Sequence, residues 1–214
     1  MNKSAVCRVA NAIRATDPTF SGVSIYDVSA LKPGFIEVAA VYARTTGSPL
    51  ALLWFFDWSG ALTRKVVLDK LPQIESLEID DAGDVWALND LGDRGAKCLF
   101  TEFDPDGSVV RKLVKTRRRW STDESASKGG QVSFGLTAGR VWTWLPSTRT
   151  LVSVNESKGK SMIRRTGLPS VGNNARIYLG KAELQADGRL VMEVLGDGDK
   201  GHFVWSAATG WKRD

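Results

Sequence analysis

The sequence predicts an all-β chain built from four copies of one repeat. Three observations carry that prediction: apolar segments that alternate with period two, two series of turn glycines sharing a period of about fifty, and no persuasive 3.6-residue apolar period anywhere. The chain has 214 residues, 43% of them hydrophobic and 25% charged, which is enough apolar side chain for one real core. A single domain spanning 1–214 is expected.

Each repeat reads as strand, turn, strand, connector, strand, turn, strand. The first turn falls at Lys32-Pro33-Gly34, Asp81-Ala82-Gly83, Thr137-Ala138-Gly139 and Ala186-Asp187-Gly188. The second falls at Trp58-Ser59-Gly60, Pro105-Asp106-Gly107, Ser157-Lys158-Gly159 and Ala208-Thr209-Gly210. Spacings are 49, 56 and 49 in the first series and 47, 52 and 51 in the second. Glycine supplies the positive φ that tight hairpins need. Segments 35–41, 77–80, 84–88, 141–145 and 189–194 alternate as strands with two different faces.

The repeats occupy roughly 22–70, 74–115, 131–166 and 176–214. A four-stranded antiparallel sheet repeated radially is a β-propeller, which manages its strand edges by circular closure. Only four residues follow Gly210, so the last blade has a short outer strand. Segment 4–13 alternates and lies outside every repeat, and it is expected to pair with that blade and close the ring. Residues 11–15 could make one helical turn at most.

The stretch from Leu77 to Asp90, with Asp80-Asp81-Ala82-Gly83-Asp84 at its centre, resembles the inner hairpin of NHL-repeat and gluconolactonase-like propellers. Phe103-Asp104-Pro105-Asp106-Gly107 is similar to their outer hairpin turn. Those families have six blades where this chain has four. The resemblance implies a propeller fold, and gluconolactonase-like members hold a metal with Glu, Asn and Asp side chains at the mouth of the channel.

Composition excludes several chemistries. With one histidine, His202, and two cysteines, Cys7 and Cys98, no Cys/His zinc cage can be assembled. The cysteines sit among alternating apolar residues and are expected to be buried thiols. A net charge of +5 falls short of a nucleic-acid-binding signature by itself. Arg8 and Arg14 interrupt any apolar run near the start, so no secretory signal is expected there, and no segment is long enough to span a membrane. A cytoplasmic location is the expectation.

Connector lengths vary while the turns are uniform, so function is expected on the connector side. Asn89, Asp90, Asp93 and Arg94 lie in one connector, and Asp197, Asp199 and His202 in another. Asn89, Asp90, Asp93, Asp197 and Asp199 could offer oxygen ligands to a divalent cation such as calcium, although Asp, Asn and Gly are also what any polar turn uses. His202 beside Asp199 could act as a base, with no nucleophile placed next to it. Arg117, Arg118, Arg119 and Trp120 could grip an anion and stack a ring, or could be a solvated connector. Basic pairs at Arg64-Lys65, Arg111-Lys112, Arg164-Arg165 and Lys212-Arg213 recur at one step of the repeat, which assigns them to outermost strands. Charge there blocks edge-to-edge aggregation.

Three functional readings follow. The first is a non-catalytic binding or scaffolding propeller, without cofactor, that presents its connector loops to a protein or small anionic ligand. The second is a metal-dependent, lactonase-like hydrolase. The third is binding of an anionic surface or nucleic acid through the basic outer strands.

Overall fold

The computed structural model describes residues 24–32, 35–42, 50–57, 61–68, 74–89, 91, 96–117, 119–121, 131–169, 178–196 and 199–214. All regular structure among them is β. Sixteen strands form four sheets, each a four-stranded antiparallel meander in chain order. The first sheet comprises β1 (Ser24–Lys32), β2 (Phe35–Tyr42), β3 (Leu50–Asp57) and β4 (Leu62–Leu68). The second comprises β5 (Ile74–Ile79), β6 (Val85–Asn89), β7 (Cys98–Phe103) and β8 (Val109–Lys115). The third comprises β9 (Ser133–Leu136), β10 (Arg140–Leu145), β11 (Thr150–Asn155) and β12 (Ser161–Arg165). The fourth comprises β13 (Tyr178–Leu184), β14 (Leu190–Gly196), β15 (Asp199–Ser206) and β16 (Gly210–Arg213).

The four sheets coincide with the four sequence repeats, and β16 is the short outer strand expected after Gly210. The turn glycines behave as the pattern requires: Gly83, Gly107, Gly139, Gly159, Gly188 and Gly210 take φ between +60° and +92°. Gly34 and Gly60 lie outside the described residues, as does the proposed closing segment 4–13 and the turn suggested at 11–15.

The chain divides into two compact units, one of residues 1–89 and 100–112, the other of 90–99 and 113–214. In the first unit β1 runs beside β5. Val66 and Leu68 of β4, Ile74 and Leu77 of β5, Val85 and Ala87 of β6 and Phe103 of β7 make its core. In the second unit β9 runs beside β13. Their link is a hydrogen bond of 2.7 Å from the Ala182 N–H to Ser133 Oγ, both buried, at the point where β13 shifts register against β14.

The second core is aromatic. Trp142 and Trp144 of β10 pack with Leu151, Leu184, Leu190, Met192, Phe203 and Trp205, so large flat rings fill the space between the third and fourth sheets. The two β10 rings also satisfy their polar edges: Trp142 Nε1 donates to Thr137 Oγ1 at 3.1 Å and Trp144 Nε1 to Thr166 Oγ1 at 3.1 Å. Gly135 lies opposite Trp142, and a Cβ there would come 3.2 Å from the indole, so the ring uses the space that a side chain would fill. Cys98, expected to be buried, is half-buried at the start of β7, and Cys7 lies outside the described residues.

Candidate anion-binding cleft

The connector residues singled out from the sequence do not assemble as a site among the described residues. Asp90, Asp93, Arg94, Arg118 and Asp197 lie outside them, and the side chain of Asp199, which begins β15, does too. No group of three or more His, Cys, Asp or Glu among the described residues is arranged to hold a metal ion. Asn89 is described, and its role is internal. It is 1% exposed and exchanges side-chain hydrogen bonds with Thr101, its Nδ2 donating to Oγ1 at 3.0 Å. A buried amide needs such partners, and this one ties β6 to β7.

Trp120 is also buried, at 7%, and the Arg117 guanidinium lies 5.5 Å from its ring centroid. The indole is therefore covered by its own chain, leaving Arg117 and Arg119 exposed on the connector. His202 is exposed on β15, paired with Glu193 across the sheet.

The basic pairs fall where the repeat puts them: Arg64-Lys65 on β4, Arg111-Lys112 on β8, Arg164-Arg165 on β12 and Lys212-Arg213 on β16, the strand at the end of the meander in every sheet. All except Arg111 are exposed. Arg111 is half-buried: it pairs with the buried Glu102 and lies 5.5 Å over the Trp86 ring, whose Nε1 donates to Asp80 Oδ2 at 3.2 Å. Glu102, Arg111, Trp86 and Asp80 thus form one connected set on the second sheet.

A cleft of about 400 Å³ opens on the third sheet, lined by Arg140, Ser153, Asn155, Lys158, Lys160, Ser161 and Met162. Arg140 follows the β9–β10 turn and Asn155, Lys158, Lys160 and Ser161 form or flank the β11–β12 turn at the same end of the sheet, while Ser153 and Met162 lie further along β11 and β12. The two turns are joined directly, Glu156 N–H donating to Gly139 O at 3.0 Å. The first is a two-residue hairpin, with Thr137 and Arg140 exchanging backbone hydrogen bonds of 2.9 and 3.1 Å, and both Ala138 and Gly139 have positive φ. The second is held by Asn155, whose Oδ1 accepts from Lys158 N–H and Ser157 Oγ, each at 2.9 Å.

Three cationic residues are among those that line it, and among the described residues none of them has a carboxylate within ion-pair distance. The repeat makes this local. The residue after the first-turn glycine is Phe35, Asp84, Arg140 or Arg189. The residues flanking the second-turn glycine are Ser59 and Ala61, Asp106 and Ser108, Lys158 and Lys160, or Thr209 and Trp211. Only the third repeat has a cation at all three positions. Arg189, the counterpart of Arg140, is neutralised by Asp187 two residues earlier, Nε to Oδ2 at 2.6 Å. The residue two before Arg140 is Ala138. Sequence reading passed over this cleft because each cation, taken alone, is an ordinary turn residue.

No family model and no curated protein matches the chain. Among solved structures, a protein from Bacteroides fragilis described as exported is similar at a TM-score of 0.51 and 11% identity, over 91% of this chain and 60% of that one. A second, KlHsv2 with its loop 6CD replaced by a Gly-Ser linker, has a TM-score of 0.40 and 10% identity, over 90% of this chain and 71% of that one. The chain thus spans about 60% of the length of the first structure. At this identity the first likeness concerns the fold alone. Among the described residues no helix is long and apolar enough to cross a membrane.

Proposed function

We propose that this chain is a non-catalytic binding module of the β-propeller kind and that its ligand is anionic. Successive four-stranded meanders, with β1 beside β5 and β9 beside β13, support the blade reading. The observation that carries the functional reading is the cleft on the third sheet, lined by Arg140, Lys158 and Lys160, none of which has a carboxylate within ion-pair distance among the described residues. Like charges held together cost free energy unless an anion or solvent offsets them, and a concave site focuses that field on a ligand. The binding side moves accordingly, from the connectors to the turns of the third repeat.

A thermal-shift panel of anionic and neutral small molecules tests this. The wild-type melting temperature should rise with anions, and the rise should fade as sodium chloride goes from about 50 to about 300 mM. It should vanish in the double variant Lys158→Glu/Lys160→Glu. Stabilisation by neutral compounds alone, or an anion shift that survives in the double variant, would overturn the reading.

A further inference from the structure

We propose that the cleft takes a phosphoryl-bearing small molecule, its phosphate ester or diphosphate group held by Arg140, Lys158 and Lys160. This deepens, and rests on, the anionic-ligand reading above.

Charge is the first argument. A monocarboxylate would leave most of three cations unanswered, whereas a phosphate ester brings about −1.5 to −2 at neutral pH and a diphosphate brings more. Donor geometry is the second. The Arg140 fork can engage two oxygens at once and two ammonium groups add point charges, and that donor set suits the several oxygens of a phosphoryl group better than the two coplanar oxygens of a carboxylate.

The neutral lining agrees. Asn155 Oδ1 already accepts from a backbone N–H, an assignment that fixes the amide orientation, so its Nδ2 is the group with donors to offer. Ser153, which shares a face of the sheet with Asn155 and Met162, contributes a hydroxyl that can donate or accept. Met162 is the apolar lining residue and suits the organic body of an ester better than bare inorganic phosphate. The volume, about 400 Å³, is of small-ligand size.

The test is calorimetric titration with inorganic pyrophosphate and, in parallel, citrate at matched ionic strength. Both are multiply charged, so the comparison separates phosphoryl geometry from charge alone. Pyrophosphate should bind at least about tenfold tighter than citrate, and Lys158→Ala and Lys160→Ala should each weaken it by about tenfold. Arg140→Lys, which keeps the charge and removes the fork, should weaken pyrophosphate more than citrate. The β4 variant Arg64→Ala/Lys65→Ala should bind as the wild type does, and equal melting temperatures among the variants show that each is folded. Citrate binding as tightly as pyrophosphate through the same residues overturns the phosphoryl assignment and leaves the anionic reading standing. Equal losses in the β4 variant overturn the cleft as the site, and no binding of either anion removes both proposals.

Discussion

The turn ends of the second and third sheets close the same four-stranded meander and carry opposite charge. On the second sheet the carboxylates are used. Asp80 Oδ1 accepts from the N–H groups of Ala82 and Asp84 at 2.9 and 3.0 Å, and its Oδ2 accepts from Trp86. Asp104 repeats the arrangement one hairpin later, accepting from Asp106 and Ser108 at 3.0 and 2.9 Å, and Glu102 holds Arg111. On the third sheet the corresponding cations hold nothing among the described residues. The acidic end builds its own hairpins, and the basic end has charge left over. A repeat protein can thus assign structure to one copy and binding to another without altering the strand plan.

The comparison can be broken most severely at Asp80. Replacing it by alanine removes an acceptor of three hydrogen bonds, and Asp80→Ala should cost about 3 kcal/mol, read from denaturant midpoints. A loss no larger than that of an ordinary surface substitution would mean that the turn holds itself.

The second variant pair acts at the basic end. Ala138 sits at φ +49°, a conformation that costs a β-carbon residue about 1 kcal/mol and that asparagine tolerates. Ala138→Asn should therefore raise stability by about 1 kcal/mol and leave pyrophosphate binding intact. Ala138→Asp places a carboxylate two residues before Arg140, the separation that pairs Asp187 with Arg189. It should weaken pyrophosphate clearly where asparagine does not. Equal affinities for the two variants would count against Arg140 as a ligand-binding group.

The smallest expected effect belongs to Asp84, whose carboxyl is pushed above the usual range by burial first and then by Asp80, Glu102 and Asp104. A carboxylate whose folded pKa is raised destabilises the native state once pH has climbed through that value. Below the unfolded value of about 3.9 both states are protonated and the penalty is absent. Asp84→Asn should consequently stabilise the protein at neutral pH and lose that advantage as pH falls below about 4. Melting curves across that window check it, and an advantage that persisted in acid would assign the gain to packing.

Much of this fold could be read in the sequence because its signals were local. A glycine two or three residues into a turn marks that turn without knowledge of anything distant, and the eight glycines bracketed the sixteen strands closely. The basic pairs on β4, β8, β12 and β16 were legible for the same reason, each lying at a fixed step from its glycine. The cleft was not. Arg140 and Lys158 are separated by a whole hairpin, and the bond between Glu156 and Gly139 that aligns their turns leaves no mark in either turn's composition. Asn89 misled in a related way. Its oxygen looked available to a cation because its partner, Thr101, lies across a connector whose length conceals the register. Trp120, with its charged neighbours, could be read as a ring offered for stacking, yet it is buried and one of those neighbours, Arg117, lies over it.

One glycine described above has a practical meaning. Gly107 holds φ +90°, and a Cβ on it would run into the Val67 carbonyl oxygen and come 2.7 Å from Val66 Cγ1, so the β7–β8 turn is wedged against β4. Around Gly210 and Gly167 a Cβ would meet nothing within 4 Å. Anyone who wished to splice an epitope, a fluorophore site or a second domain into this chain would therefore find the loops unequal. The β15–β16 turn and the segment after β12 offer open doors, whereas a graft at the β7–β8 turn would prise one sheet from the next.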